Sequence, residues 1–329
     1  MIELVELDAY QALRQQAALM RLQQRTTIRL SGKDRALVLH NLCTADINRL
    51  KPGEGCEAFI TSIKGKAIGL VQVFCQSESL LIDTVGGEAE KLIAHMDRYV
   101  LREDAKFEDL SASYQSLLIS GPKSADVIHS LARNPDLLPT KTLAHEDAVI
   151  GSCEVHVARV NWTGPDDWLL RVAQDDADRL CLQFGEAGLK ICAADLFEVA
   201  RIEYGMPLYG IDITDANLPQ EVNRNELAIS FRKGCYLGQE TIARLDALGH
   251  VNKIFSGVAF AERVDIQPGM AWQVEGKDVG SITSVCQSPQ FHAVLTLGYL
   301  KPALAKPGTK IDCQGTTGVV VLLGKQEPN

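Results

Sequence analysis

The chain has 329 residues, 46% of them hydrophobic and 23% charged, with 33 basic and 42 acidic side chains and a net charge of −9. That length suits about two domains with a large core, the composition excludes a disordered chain, and the negative balance argues against a general nucleic-acid-binding surface, which needs a basic face to displace counterions from phosphates. No apolar run approaches the roughly 18 residues of a membrane span, and Met1-Ile2-Glu3-Leu4-Val5-Glu6 carries acids where a secretory or mitochondrial leader carries bases. A cytoplasmic protein with no membrane association is expected. The nine cysteines form no Cys-x-x-Cys pair and the seven histidines are scattered, so neither a disulfide framework nor a tightly bound metal is expected.

In chain order, Leu7, Tyr10, Leu13, Ala17 and Met20 recur near helical spacing and predict an amphipathic helix over 7–22. Residues 26–30 alternate as a strand, and Ser31-x-x-Asp34 reads as a capping box that starts a helix through Leu42. Lys51-Pro52-Gly53-Glu54-Gly55 is a turn; strand-like runs at 57–62 and 67–75 around Lys64-Gly65-Lys66 then predict a hairpin. A helix follows over 87–101. A second unit, strand-rich and helical, spans 114–196 and holds strands at 155–161 and 168–173. The helix-like run 197–202 delivers Glu203 where Gly205 and Pro207 end it. The polar, turn-rich piece 207–227 has a length more often functional than idle. From Lys253 onward, short alternating runs separated by Gln267-Pro268-Gly269, Lys306-Pro307-Gly308 and Gln314-Gly315 predict a small all-β domain, barrel-like in form.

Chemistry concentrates in two places. Lys233-Gly234-Cys235-Tyr236-Leu237-Gly238-Gln239-Glu240 sets one thiol between two glycines, beside an ammonium and ahead of a helical pattern; both the lysine and a helix N-terminus favour thiolate over thiol. The remaining eight cysteines read as small buried hydrophobes. Glu203 is a carboxylate at a helix end, able to accept a pair of N–H bonds. Arg244, at helical spacing from Glu240, suits either an ion pair or an anionic ligand.

The octet closely matches Lys-Gly-Cys-Tyr-x-Gly-Gln-Glu of the YgfZ-type folate-binding proteins, relatives of the glycine cleavage T-protein aminomethyltransferase, and the chain resembles that family over most of its length. Ser31-Gly32-Lys33-Asp34-Arg35 and Leu39 through Asp46 are similar to its N-terminal segment, and Arg201 through Pro207 to its central one. Trp162-Thr163-Gly164 resembles the superfamily's Tyr-Thr-Gly turn, although Pro165-Asp166-Asp167 departs from the usual Glu-x-Gly. The resemblance implies an α+β fold in which two mixed subdomains and a C-terminal β-barrel surround a central folate cavity. The subdomains are expected at 1–110, completed by residues near 205–252, and at 111–204, with the barrel at 253–329. It further implies tetrahydrofolate as cofactor, its pterin held by Glu203 in an Arg-x-Glu-x-Gly-x-x-Leu-Tyr-Gly context, with Tyr209, Arg244 and Gly65 as further contacts. Cys235 and Lys233 would be the catalytic pair near the cavity mouth. The implied role is support of iron–sulfur enzyme maturation or repair, and hence of tRNA modification, by a monomer that meets iron–sulfur client enzymes and no nucleic acid directly.

In the aminomethyltransferases that the chain resembles, an Asp-Asp pair follows a glycine-bearing turn and opens the strand; the corresponding stretch here is Gly65 through Val71, and no acid occurs from Ala58 through Ser77. Loss of that carboxylate argues against aminomethyl transfer, since acid–base assistance contributes ~10²–10⁴ in rate. Three other readings stay open: an active aminomethyltransferase using Asp212 or Asp215, a cysteine hydrolase using Cys235 and His250, and a non-enzymatic folate-binding scaffold.

Overall fold

The computed structural model describes residues 7–261 and 264–324; the acidic stretch 1–6 lies outside them. The hairpin around Gly65 opens a five-stranded antiparallel sheet in the order Gly55–Thr61, Ala67–Cys75, Ser79–Thr84, Thr26–Ser31, Lys106–Asp109. Successive side chains of a strand point to opposite faces. Ala58, Ile60, Val71, Val73 and Ile82 therefore pack one face on the helices Arg35–Leu42 and Ala89–Asp97, while Phe59, Leu70, Phe74 and Leu81 turn to the other face and the centre of the molecule.

A six-stranded sheet faces it, in the order Lys190–Cys192, Ala18–Arg21, Tyr114–Ser120, Asp167–Ala173, Cys153–Val160, His145–Ile150. Its outer face packs on the helices Ser124–Leu131 and Ala177–Glu186 through Ile128, Leu180 and Phe184; its inner face sends Met20, Leu118, Ala158 and Leu169 to the centre. Strands Ile254–Phe260, Ala271–Val274, Lys277–Ser288, Ala293–Leu300, Lys310–Cys313 and Thr316–Val321 close the expected barrel. The barrel adds Phe255, Leu295, Leu297 and Tyr299 to the central cluster, alongside the helix Ala194–Tyr204. The architecture is thus the α+β assembly with a C-terminal barrel. No helix among the described residues is long and apolar enough to cross a membrane.

Two local expectations are corrected. The helix predicted over 7–22 ends at Gln15, and Ala18–Arg21 is a strand. Ala17 and Leu19 belong to the outer core of the second sheet while Ala18 and Met20 belong to the central one; the stretch 17–20 is apolar at every position, so its period of two is invisible and helical spacing can be read through it. The strand also crosses to the second sheet, pairing with Tyr114–Ser120 and Lys190–Cys192. The capping box does not form: Ser31 ends a strand, the helix begins at Arg35, and Asp34 makes no side-chain cap bond. Its Oδ2 accepts instead from the amide of Asp104.

Candidate functional site

Three strands of the first sheet place one polar residue each in register on the inward face. Glu57 lies opposite Gln72, and Gln72 opposite Asp83. All three are buried. Glu57 is held bidentately by Arg224, Nε to Oε1 at 2.5 Å and Nη2 to Oε2 at 2.8 Å. Asp83 accepts from Arg25 Nε at 2.9 Å and from Arg171 Nε at 3.1 Å. Burial alone would push the Asp83 carboxyl up, but the two guanidiniums outweigh it and hold it below the ordinary aspartate range. Gln72 has no such partner: both its Nε2 and its Oε1 are buried without a hydrogen bond.

This row lines an inner space of about 20 Å³ together with Trp162, Phe197 and Tyr209. It shares the walls Arg25, Val85, Phe197, Leu208 and Tyr209 with a cleft of about 520 Å³ that runs past Gln24, Gly87 and Glu198. A volume in this range with mostly apolar walls suits a small organic ligand. Four carboxylates line the two spaces, Glu57, Asp83, Glu88 and Glu198, and each is ion-paired, to Arg224, to Arg25 and Arg171, to Lys91, and to Arg201 respectively. Tyr209 edges both; its hydroxyl accepts from Lys91 Nζ at 2.6 Å and donates to Asp215.

Glu203 sits elsewhere. The helix Ala194–Tyr204 ends at Gly205, whose φ of +81° is the left-handed cap that glycine adopts without strain, and this fixes Glu203 in the interior. Its Oε2 accepts from Tyr10 Oη at 2.8 Å and from Arg14, its Oε1 from Ser288 Oγ at 2.5 Å and the Gln290 amide at 3.1 Å. A carboxylate offers about four acceptor positions, so protein donors fill it, and Glu203 lines neither space. In this structure Glu203 pins the helix Leu7–Gln15 to the barrel strand Lys277–Ser288.

Lys233 is likewise engaged within the protein. Its ammonium is buried and donates to the carbonyls of His40 at 2.5 Å, Cys43 at 2.8 Å and Ala45 at 2.8 Å. With all three N–H groups engaged at the end of the helix Arg35–Leu42, none remains for a thiolate at Cys235. Further ties hold this segment to the first sheet: Leu237 N bonds Asn41 O, Thr61 Oγ1 bonds Leu237 O, and Ser230 N bonds Thr44 O. Gly65 and Gly238, both at positive φ, press together; a Cβ on Gly238 would lie 2.7 Å from Gly65 Cα, and one on Gly65 would lie 2.8 Å from Thr241 Cβ. Gly65 thus seats the hairpin turn against the start of the helix Gln239–Leu248. Cys235 is the exposed cysteine of the nine, and it lines neither space. Arg244 is exposed on that helix with no ion pair among the described residues. His250 is exposed with Nδ1 on Leu248 O, and Asp212 is locked to Arg201, Thr283 and Ser284.

Sequence reasoning passed over Gln72, Glu57 and Asp83. A signal existed for the first: Gln72 is the one strongly polar side chain in the nine-residue strand Ala67–Cys75.

Residues 5–233 match the GCVT N-terminal domain and residues 256–320 the glycine cleavage T-protein C-terminal barrel domain. The chain belongs to the glycine cleavage T-protein family. Aminomethyltransferases of Nostoc sp. and Synechocystis sp. are each 25% identical to it, over 93% of this chain and 82% and 83% of theirs. The crystal structure of the glycine cleavage system aminomethyltransferase T from Bartonella henselae superposes with a TM-score of 0.85 at 18% identity, covering 97% of this chain and 88% of that one. That likeness is one of fold: the T-protein architecture of two sheets and a barrel is shared.

Proposed function

We propose that this T-protein-family chain binds tetrahydrofolate in the cleft walled by Arg25, Val85, Phe197, Leu208 and Tyr209 and, through the exposed Cys235, supports the maturation or repair of iron–sulfur enzymes. The residues fit such a ligand: Phe197, Leu208 and Val85 offer apolar walls, Arg25 and Tyr209 polar edges, and Gln72 an orphaned amide at the inner end. The observation that carries the reading is the pairing of every carboxylate lining the two spaces with a cation. Three of these carboxylates are held by guanidiniums, and Glu88 faces the Lys91 ammonium at 3.6 Å, so the acids at the cleft already have cationic partners, which suits a binding site. The iron–sulfur role rests on the octet around Cys235 and on the exposure of that thiol.

Aminomethyl transfer is the second reading, favoured by the names of the relatives. One pair of experiments separates the two. Under anaerobic reducing conditions the protein is expected to bind tetrahydrofolate saturably, yet to transfer no aminomethyl carbon from a loaded carrier protein above the uncatalysed rate. Turnover at a T-protein rate would replace the first reading with the second. Because Cys235 lines neither space, Cys235→Ser is expected to keep tetrahydrofolate affinity within about twofold while losing support of an iron–sulfur client; a large affinity loss would place the thiol at the ligand.

A further inference from the structure

We infer that Gln72 is the group that reads the hydrogen-bonding edge of the ring bound in the cleft. The inference rests on the folate reading above and deepens it. In the row Glu57–Gln72–Asp83 the two outer members are satisfied by their own arginines, and the amide between them is buried with both ends unpartnered. Leaving a buried donor or acceptor unmade is costly, and native structures keep such groups where a ligand or water completes them. The space at the amide, about 20 Å³, admits a single water. The adjoining cleft of about 520 Å³ shares five wall residues with it; Gln72 lines only the inner space, so a ring lodged between Phe197 and Leu208 would meet the amide by seating its edge in that space in place of the water.

A primary amide offers one donor and one acceptor side by side. Its complement is a cyclic lactam edge, an N–H next to a C=O, which closes two parallel hydrogen bonds. The 4-oxo edge of a reduced pteridine has that pattern. Glu203, with its oxygens filled by Tyr10, Arg14, Ser288 and Gln290, does not compete for it.

Gln72→Met keeps volume and removes both hydrogen bonds. Tetrahydrofolate and p-aminobenzoylglutamate, which lacks the pteridine, are titrated into wild type and variant, and thermal midpoints are taken without ligand. Tetrahydrofolate affinity is expected to fall about ten- to a hundredfold, the effect of two neutral hydrogen bonds, with p-aminobenzoylglutamate affinity unchanged and the ligand-free midpoint unchanged or higher. Equal tetrahydrofolate affinity in both proteins would overturn the role of Gln72 and leave the folate reading standing. Failure of wild type to bind tetrahydrofolate would remove the folate reading, and this inference with it. A lowered midpoint with both ligands weakened would mark Gln72 as structural. Should the methionine variant not fold, Gln72→Leu serves the same comparison.

Discussion

One carboxylate, Glu203, carries four donors from two distant parts of the chain: Tyr10 and Arg14 from the first helix, and Ser288 and the Gln290 amide from the barrel. Removing it strands those donors in a buried setting, and a buried charge pair broken on one side is strongly destabilising. Glu203→Ala is therefore expected to lower unfolding free energy by on the order of 3 kcal/mol, read from the shift in denaturant midpoint. A variant of unchanged stability that loses tetrahydrofolate would instead restore Glu203 to the ligand. Its place at a helix end was legible from the pattern ending in Gly205 and Pro207, but its partners were not. They lie 85 to 193 residues away in sequence, and no local spacing reports them. Lys233 misled for the same reason: proximity to Cys235 along the chain suggested an electrostatic partner, while the fold aims its ammonium at three carbonyls near residue 43.

Between elements, a directed chain of hydrogen bonds bridges the two sheets. Arg171, whose other nitrogens hold Asp83, donates Nη1 to His156 Nδ1 at 2.8 Å. His156 Nε2 then meets His145 Nδ1 at 3.1 Å, and His145 Nε2 meets the carbonyl of Cys75 at 2.9 Å. Because a guanidinium can only donate, both rings are set as neutral tautomers with the proton on Nε2; a second proton would set donor against donor. Burial first, and the Arg171 charge with it, push both histidines below their usual range. A histidine with a lowered folded pKa leaves stability intact above about 6.5 and erodes it as pH falls toward the folded pKa, because the unfolded chain then binds more protons. Denaturant midpoints are expected to hold from pH 8 to 7 and to decline below about 6.5, with a slope up to about 1.4 kcal/mol per pH unit for each ring. His156→Gln is expected to flatten that decline, and an unchanged slope would locate the titration elsewhere. At this scale the strands with one apolar face and the barrel's turn punctuation were readable, whereas Ala18–Arg21, buried on both faces up to Met20, was absorbed into a helix and the three-residue polar row was not seen, since register across strands is a tertiary fact.

Across the whole molecule, the two sheets and the barrel converge on one central core with a cleft at its edge, while Cys235 lies on the surface beside the first sheet. The octet was legible as the chain's most specific motif, yet its place relative to the cleft depended on ties such as Leu237 to Asn41 and Gly238 against Gly65, which only the folded chain supplies. On the proposed reading, binding and thiol chemistry lie at separate sites. A crystal structure of the protein grown anaerobically with tetrahydrofolate tests this most directly. The account predicts ring density in the cleft bounded by Phe197 and Leu208, with an edge at Gln72 and the four bonds of Glu203 intact. Density seated on Glu203 with the helix Leu7–Gln15 displaced, or a ligand in contact with Cys235, would contradict it.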